Sequence, residues 1–323
     1  MDRKDAMKAW GTLLHGRKPL LSIELTKECP LRCPGCYAYD PQHLGGAITL
    51  RQLNDERGDT LVQRVLAIVD ELRPLHLSIV GGDPMVRYRE LLVLLPELVK
   101  RGIYVQLVTS AFRQIPSEWK NLDSFKLVVS IDGLPAEHDR RRAPATYDRI
   151  LTNVAGHKIT VHCTVTTAML QRSTYIEEFL AYWQHRPEAN QIWVSIFTPQ
   201  VGSSDVEILS PEQRQYVVDE LLRLRPQISK LDMNPGMIRG FLAPPRSPDE
   251  CVFSQVTETI SADLSTRIGP CQFGGTPDCS QCGCAASMGL HSLADRAVAG
   301  VTLRKIFTIS NAVGKSVRQL RAA

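Results

Sequence analysis

The chain has no apolar run long enough to cross a bilayer. Its longest, such as Leu91-Leu92-Val93-Leu94-Leu95, falls far short of the roughly 20 residues that a spanning helix needs. It has no excess charge of one sign. Lys and Arg number 38 against 34 Asp and Glu, a net of +4, which argues for neither a nucleic-acid partner nor a membrane surface. It also lacks a secretory start: Met1-Asp2-Arg3-Lys4-Asp5 is charged, and Ala6-Met7-Lys8-Ala9-Trp10 has no signal-peptide core. There is no low-complexity segment and no repeat beyond an alternation of strands and helices. A cytoplasmic location is expected. The 323 residues, 43% hydrophobic and 22% charged, suit one large α/β domain with a small appendage.

Cysteine, by contrast, is plentiful. Three of the nine lie at Cys29, Cys33 and Cys36, and five lie between Cys251 and Cys284. In a reducing compartment such clusters favour metal over disulfide. Cys163 stands alone in Ile159-Thr160-Val161-His162-Cys163-Thr164-Val165 and reads as a small buried hydrophobe. The first group, Glu28-Cys29-Pro30-Leu31-Arg32-Cys33-Pro34-Gly35-Cys36-Tyr37, has C-x3-C-x2-C spacing. A [4Fe–4S] cluster normally takes four protein thiolates; three leave one iron open for chemistry. Structural zinc is the bland alternative, but zinc prefers paired C-x2-C knuckles. Only Cys33 and Cys36 form one, and His43 is the one further soft ligand in the loop.

Apolar runs at 21–25, 76–80, 104–108, 125–131, 159–165 and 192–197 read as strands. Helical spacings separate them, at 60–73, 91–100 and 147–154. Thr174 with Glu177, and Ser210-Pro211 with Gln213, read as capping boxes for helices ending near His185 and Leu224. Six β-α units imply a parallel sheet in a partial (β/α)6 barrel, open rather than closed. Function then belongs at the C-terminal strand ends, where the cysteine triplet and Gly81-Gly82-Asp83-Pro84 fall. The expected organisation is a lead-in at 1–19, the barrel at 20–232, a cysteine-rich region at 233–290, and a basic helix (292–305) and tail within 291–323.

Cys29, Cys33 and Cys36, followed by Tyr37 after a first strand, resemble the signature of the radical S-adenosylmethionine (SAM) enzymes. The resemblance implies that the triplet holds a [4Fe–4S] cluster whose open iron chelates SAM. It also implies that reductive cleavage of SAM yields a 5′-deoxyadenosyl radical, and that Tyr37 packs near the adenine. Gly81-Gly82-Asp83-Pro84 is similar to the family's Gly-Gly-Glu-Pro, which binds the SAM amino group, with Asp83 replacing the longer acid. Thr109 sits where relatives carry a Thr-Asn-Gly, matched here only in part by Thr109-Ser110-Ala111. The resemblance gives SAM-contacting roles to Ser130 and, beside it, Asp132. His138, Asp139 and Arg142 match a His-Asp-x-x-Arg segment, with Arg142 as a carboxylate clamp; a solvated turn is the plainer reading.

Cys251, Cys271, Cys279, Cys282 and Cys284 resemble the SPASM or shorter twitch appendage, in which two cysteines flank a hairpin and a later C-x2-C completes a second [4Fe–4S] site. That implies Cys251, Cys271, Cys279 and Cys282 as ligands, with Cys284 spare; structural zinc stays open. The bracketed Ile260-Ser261-Ala262-Asp263-Leu264 reads as a hairpin. A looser likeness to the hopanoid adenosyl-transfer branch runs through Ser130, His138-Asp139 and Thr276-Pro277-Asp278-Cys279.

The expected activity is radical modification of an unactivated bond in a small-molecule or natural-product substrate. The alternatives are a ribosomal peptide, disfavoured by the short lead-in, or a lipid precursor. A flavodoxin- or ferredoxin-type electron donor is implied by the resemblance. A non-enzymatic iron–sulfur or zinc redox sensor is the reading from another class; it leaves Gly81-Gly82-Asp83-Pro84 unexplained.

Overall fold

The computed structural model describes residues 3–298 and 300–322. Helix α1 (Arg3–Leu14) precedes an alternation of β1 (Leu20–Glu24), α2 (Gly58–Leu72), β2 (His76–Val80), α3 (Tyr88–Lys100), β3 (Tyr104–Thr109) and β4 (Phe125–Ser130). Then come α4 (Pro135–Arg142), α5 (Tyr147–Asn153), β5 (Ile159–Val165), α6 (Tyr175–His185), β6 (Ala189–Ile196) and α7 (Pro211–Leu224). Short helices α8 (Pro235–Gly240) and α9 (Val252–Val256) lead into β7 (Thr257–Ile260). Helix α10 (Ala285–Ala294), a hairpin of β8 (Ala297–Val298) and β9 (Val301–Thr302), and α11 (Leu303–Ala322) follow.

The sheet is parallel throughout, in the order β6-β5-β4-β3-β2-β1-β7, and it stays open between β6 and β7. Period-2 alternation explains its packing. One face presents Leu21, Ile23, Leu77, Ile79, Val105 and Leu107, all buried. The helices lay stripes such as Leu61, Val65 and Val69 of α2 against it. Cys163 is fully buried there beside the Met169 sulfur, a core residue. Among the described residues no helix is long and apolar enough to cross a membrane.

Three local readings differ from the structure. Ile260 does meet Arg267 in a small antiparallel turn, but the strand before it pairs chiefly with β1, in parallel, as a seventh strand. Thr174 makes no side-chain cap; its hydroxyl donates to Glu178 Oε1 instead, at 2.6 Å. The single basic helix at 292–305 is interrupted by the β8–β9 hairpin. The lead-in is itself helical, and Trp10 Nε1 of α1 donates to Ser310 Oγ of α11 at 2.7 Å. The Ser210 capping box forms as the sequence implies.

Three buried ties fix the loops at the C-terminal ends of the strands. The first joins the loops after β1 and β2: Gly82 N donates to Thr26 O (2.8 Å) and Asp83 N to Glu28 O (2.9 Å). Arg87 braces this pair through Glu28 and Asp55. The second is Asp132, which accepts from Arg142 Nε (2.7 Å) and Arg141 Nε (3.1 Å); Arg141 in turn donates to Pro34 O between the first cysteines at 2.9 Å. The third joins Glu24 of β1 to His43 Nε2 (2.8 Å) and to the Ser261 hydroxyl (2.6 Å), while His43 Nδ1 donates to Phe273 O at 2.8 Å.

Two predictions follow from these ties. A Cβ at Gly82 would lie 2.1 Å from Glu28 O, backbone against backbone. We expect Gly82→Ala to cost about 1–3 kcal/mol in urea unfolding, and to lower iron uptake at the first cysteines. Asp132→Asn leaves two guanidinium groups without their buried counter-charge, a loss of about 3–5 kcal/mol. Burial works to raise the Asp132 carboxyl, but Arg142 and Arg141 prevail and hold it well below the usual carboxylate range. Its stabilisation is therefore present above the unfolded pKa of about 3.9 and lost as pH falls through the depressed folded value. Unfolding measured from neutral to acid pH should show a steeper acid loss in the wild type than in Asp132→Asn.

Candidate functional site

The loop leaving β1 carries Cys29, Cys33 and Cys36, all partly exposed. Leu31 N–H points at Cys29 Sγ at 3.4 Å, and the N–H groups of Ala38 and Tyr39 face Cys36. Burial pushes the Cys29 thiol up to about 12, against the Leu31 N–H. It raises Cys33 and Cys36 too, with Arg142 pulling the other way. Half-buried thiols with N–H donors and a nearby cation suit ligation to a soft metal, which takes them as thiolates. The residues present therefore fit an iron–sulfur cluster.

The loop after β2 lies against this one. Pro84 begins a short 3-10 turn that Asp83 caps through Met85 N at 3.0 Å. Asp83 Oδ1 also accepts from the Thr109 hydroxyl (2.7 Å), and Oδ2 from Ser110 N (2.8 Å) and the Ser110 hydroxyl. Burial pushes its carboxyl up despite these bonds. Asp83 and Thr109 are thus engaged with each other, bracing the ends of β2 and β3. Gly81 and Gly82, both half-buried, pack their backbone closely against the loop after β1.

Ser130 ends β4, and its hydroxyl makes no hydrogen bond to any described residue. Asp132 is buried and committed to Arg141, Arg142 and Thr164 N (3.2 Å). Arg142 gives Asp132 only its Nε; its terminal nitrogens bond to no described residue, and it lies near Cys33 and Cys36. His138 and Asp139 are structural: Asp132 N donates to His138 Nδ1, and Tyr147 N donates to Asp139 Oδ1. Tyr37 packs edge-on against Phe273 and His43, at ring distances of 5.3 and 5.7 Å. Burial pushes its hydroxyl up, with Glu24, Cys36, Cys284 and Cys271 around it. Tyr37 therefore stands between the two cysteine groups.

All five late cysteines line one pocket, with Phe253, Pro270 and Ser287 among its walls. Cys251 immediately precedes α9, and Cys284 caps α10 through Ser287 N. Cys251 Sγ lies 3.2 Å from the Ser287 hydroxyl, and Cys284 Sγ accepts from Ser287 N and Gln272 Nε2. Burial pushes Cys271 up to about 12 and Cys282 up to about 11. Arg214 of α7 carries the loop, donating to the carbonyls of Phe241, Gln281 and Cys282. Among the described residues no three His, Cys, Asp or Glu side chains are arranged to hold a single ion. A zinc site would bring its thiolates onto one atom at about 2.3 Å; a multi-iron core holds them apart by its own width.

Sequence reasoning passed over Glu24, Arg141, Glu207 and Arg214, and named His43 only as a further ligand in the first cysteine loop. Glu24 carried a signal: a carboxylate at an alternate position of an apolar strand. Arg141, one residue from the expected Arg142, binds Glu207 Oε2 at 2.7 Å, and nothing in the local pattern marks which of the two faces the cysteines.

Residues 23–181 match the family model described as the Radical SAM superfamily, which implies a [4Fe–4S] cluster and SAM. A PqqA peptide cyclase of Rhizobium meliloti (strain 1021) is 36% identical over 87 residues, 27% of this chain and 21% of that protein. One of Methylobacterium nodulans is 33% identical over 90 residues, 28% and 21% of the two chains. The matches thus span about a fifth of these curated relatives. Among solved structures, Streptococcus suis SuiB bound to precursor peptide SuiA aligns at TM-score 0.56 and 16% identity, over 80% of this chain and 61% of that one. Native anSMEcpe with bound AdoMet aligns at 0.55 and 15%, over 79% and 74%; both are likenesses of fold. The triplet after β1, the open parallel sheet and the family match together make residues 23–181 of this chain a Radical SAM domain.

Proposed function

We propose that the chain is a radical SAM enzyme that modifies a peptide. The observation that carries the reading is the joined pair of loops after β1 and β2, three thiols on one and a half-buried Gly81-Gly82 backbone on the other. Cys29, Cys33 and Cys36 would hold the [4Fe–4S] cluster. When bound, the cluster and SAM supply one-electron chemistry able to open an unactivated C–H bond. The chain's own part is to bind and orient. Carbonyls of Gly81 and Gly82 suit an ammonium group, because glycine admits close approach. Pro84 sets the turn, and Asp83 with Thr109 supports it from behind. Arg142, aimed by Asp132, offers its terminal nitrogens to a carboxylate. Ser130 adds a hydroxyl at the end of β4, and Tyr37 walls the side toward the second cysteine group.

The relatives' names support a peptide substrate over a small molecule. PqqA peptide cyclase acts by name on a peptide, and SuiB is a fold neighbour seen with its precursor peptide. For the second group we propose an auxiliary [4Fe–4S] cluster, supported by five thiols around one pocket. Cys251, Cys271, Cys279 and Cys282 would be its ligands. A flavodoxin- or ferredoxin-type donor would supply electrons.

Anaerobic reconstitution with dithionite and SAM tests the core reading: wild type should release 5′-deoxyadenosine, and replacing Cys29, Cys33 and Cys36 together with alanine should abolish it. Iron should fall from about eight per chain to about four in that variant. Continued SAM cleavage by the triple variant would sink the assignment. Single replacements separate the late ligands. Cys279→Ser should remove the second cluster's electron-spin signal, whereas Cys284→Ser should keep it; the reverse pattern would exchange their roles.

A further inference from the structure

The two faces of the sheet differ in chemistry. The outward face is apolar and covered by helices, while the face toward the lumen carries Ser22, Ser78, Gln106, Ser130, His162 and Ser195. Strand register places Ser22 beside Ser78, Ser78 beside Gln106, and Ser130 beside His162. Hydrogen bonds across the strands agree: Gln106 Nε2 donates to Ser78 Oγ (3.5 Å), and His162 Nε2 lies 2.9 Å from Ser195 Oγ. Closed α/β barrels fill this space with bulky apolar side chains. A polar lumen suits a polar occupant.

His162 is its most chemically capable member, and Ser195 is its hydrogen-bond partner. Ser195 Oγ accepts from Ala285 N at 3.1 Å. Its own O–H can donate to His162 Nε2, and in that arrangement the ring proton sits on Nδ1. Nδ1 bonds to no described residue and is not sealed from solvent, and His162 as a whole is half-buried. Burial holds the imidazole down to about 4, so the ring is neutral near pH 7. The site is one residue pair below the level of Asp132 and Thr164, under the loops that carry the first cysteines.

We propose that His162 is a substrate-contacting donor, its Nδ1–H bonding a peptide carbonyl in the lumen, with Ser195 as the residue that positions it. The proposal rests on the peptide reading above and narrows it: a hydrocarbon would leave this donor unpaired, at about 1–3 kcal/mol for a buried group.

The test uses holoenzyme with oxidised clusters and 15N-labelled histidine, followed by long-range proton–nitrogen correlation. The probe is N-acetylglycine N-methylamide, with acetate and hexanol as comparators. His162 should be the Nδ1–H tautomer, and the amide probe should shift its resonance saturably. His162→Phe should weaken probe binding about fivefold, the worth of one hydrogen bond; His162→Asn, which keeps an N–H, should restore it. Ser195→Ala should shift the tautomer and weaken the probe without touching it. An unprotonated Nδ1, unchanged probe affinity in a folded His162→Phe, or a response to acetate or hexanol alone would overturn the proposal. SAM cleavage without substrate, measured on the same samples, separates the readings: its absence in wild type sinks the radical SAM assignment, whereas intact cleavage with any overturning result sinks only the role of His162.

Discussion

The site depends on backbone meeting backbone at two glycines. At Gly82 a Cβ would lie 2.1 Å from Glu28 O; at Gly283 it would lie 2.0 Å from Ile196 O. The first contact presses the loop after β2 onto the loop that carries Cys29. The second presses the late cysteines onto the end of β6, where Ile196 N also donates to Gly283 O at 2.9 Å. No other residue type gives this spacing. Each glycine thus converts strand positions, which the apolar core fixes, into the positions of two thiol-bearing loops.

Gly283 has a larger consequence through the segment around it. The chain leaves β7 at one edge of the open sheet and reaches β6 at the other. There Val201 N donates to Thr276 O and Asp278 N to Pro199 O, both at 2.8 Å. On the way Phe273 receives the hydrogen bond of His43 and the edge of Tyr37. The cysteine-rich segment therefore spans the gap that an incomplete barrel leaves, touching the first cysteine loop in passing. Glu24, His43 and Ser261 fasten that crossing from below. Both groups of thiols are held by the same few contacts, so they are positioned relative to each other as well as to the sheet.

Much of this was legible in sequence because it is local. Period-2 runs found six strands, and the Ser210-Pro211-Gln213 box forms as read. The unread parts are long-range. Nothing near Thr257 signals that it will pair with Leu20, more than 230 positions away; a parallel partner has no turn signature, whereas a hairpin does. The bracket of Cys251 and Cys271 therefore drew the local reading, and the small turn to Arg267 is what remains of it. Thr174 failed as a cap because its hydroxyl found Glu178, one position beyond the box residue. The site residues divide in the same way. Cysteine spacing exposed the thiols, while Arg141, Arg214 and His43 also reach Pro34, Phe241 and Phe273, at 107, 27 and 230 positions' distance, which no spacing encodes.

The departure at Asp83 shows how such a substitution can be accommodated. A glutamate at this position carries one more methylene and so reaches farther. The aspartate instead turns inward, and its two oxygens receive Met85, Thr109 and Ser110, joining the ends of β2 and β3. Both carboxylate oxygens are used inside the fold, beside the half-buried glycine backbone. The acid's contribution is then to hold that backbone in place rather than to meet a ligand itself. The same division holds at Asp132: a buried carboxylate spends its charge on two arginines, and Arg142, so held, is the group with nitrogens free to act. In both cases a buried anion orients the atoms that face the site, which places the recognising chemistry on backbone and guanidinium and the electrostatic cost in the interior, where hydrogen bonds offset it.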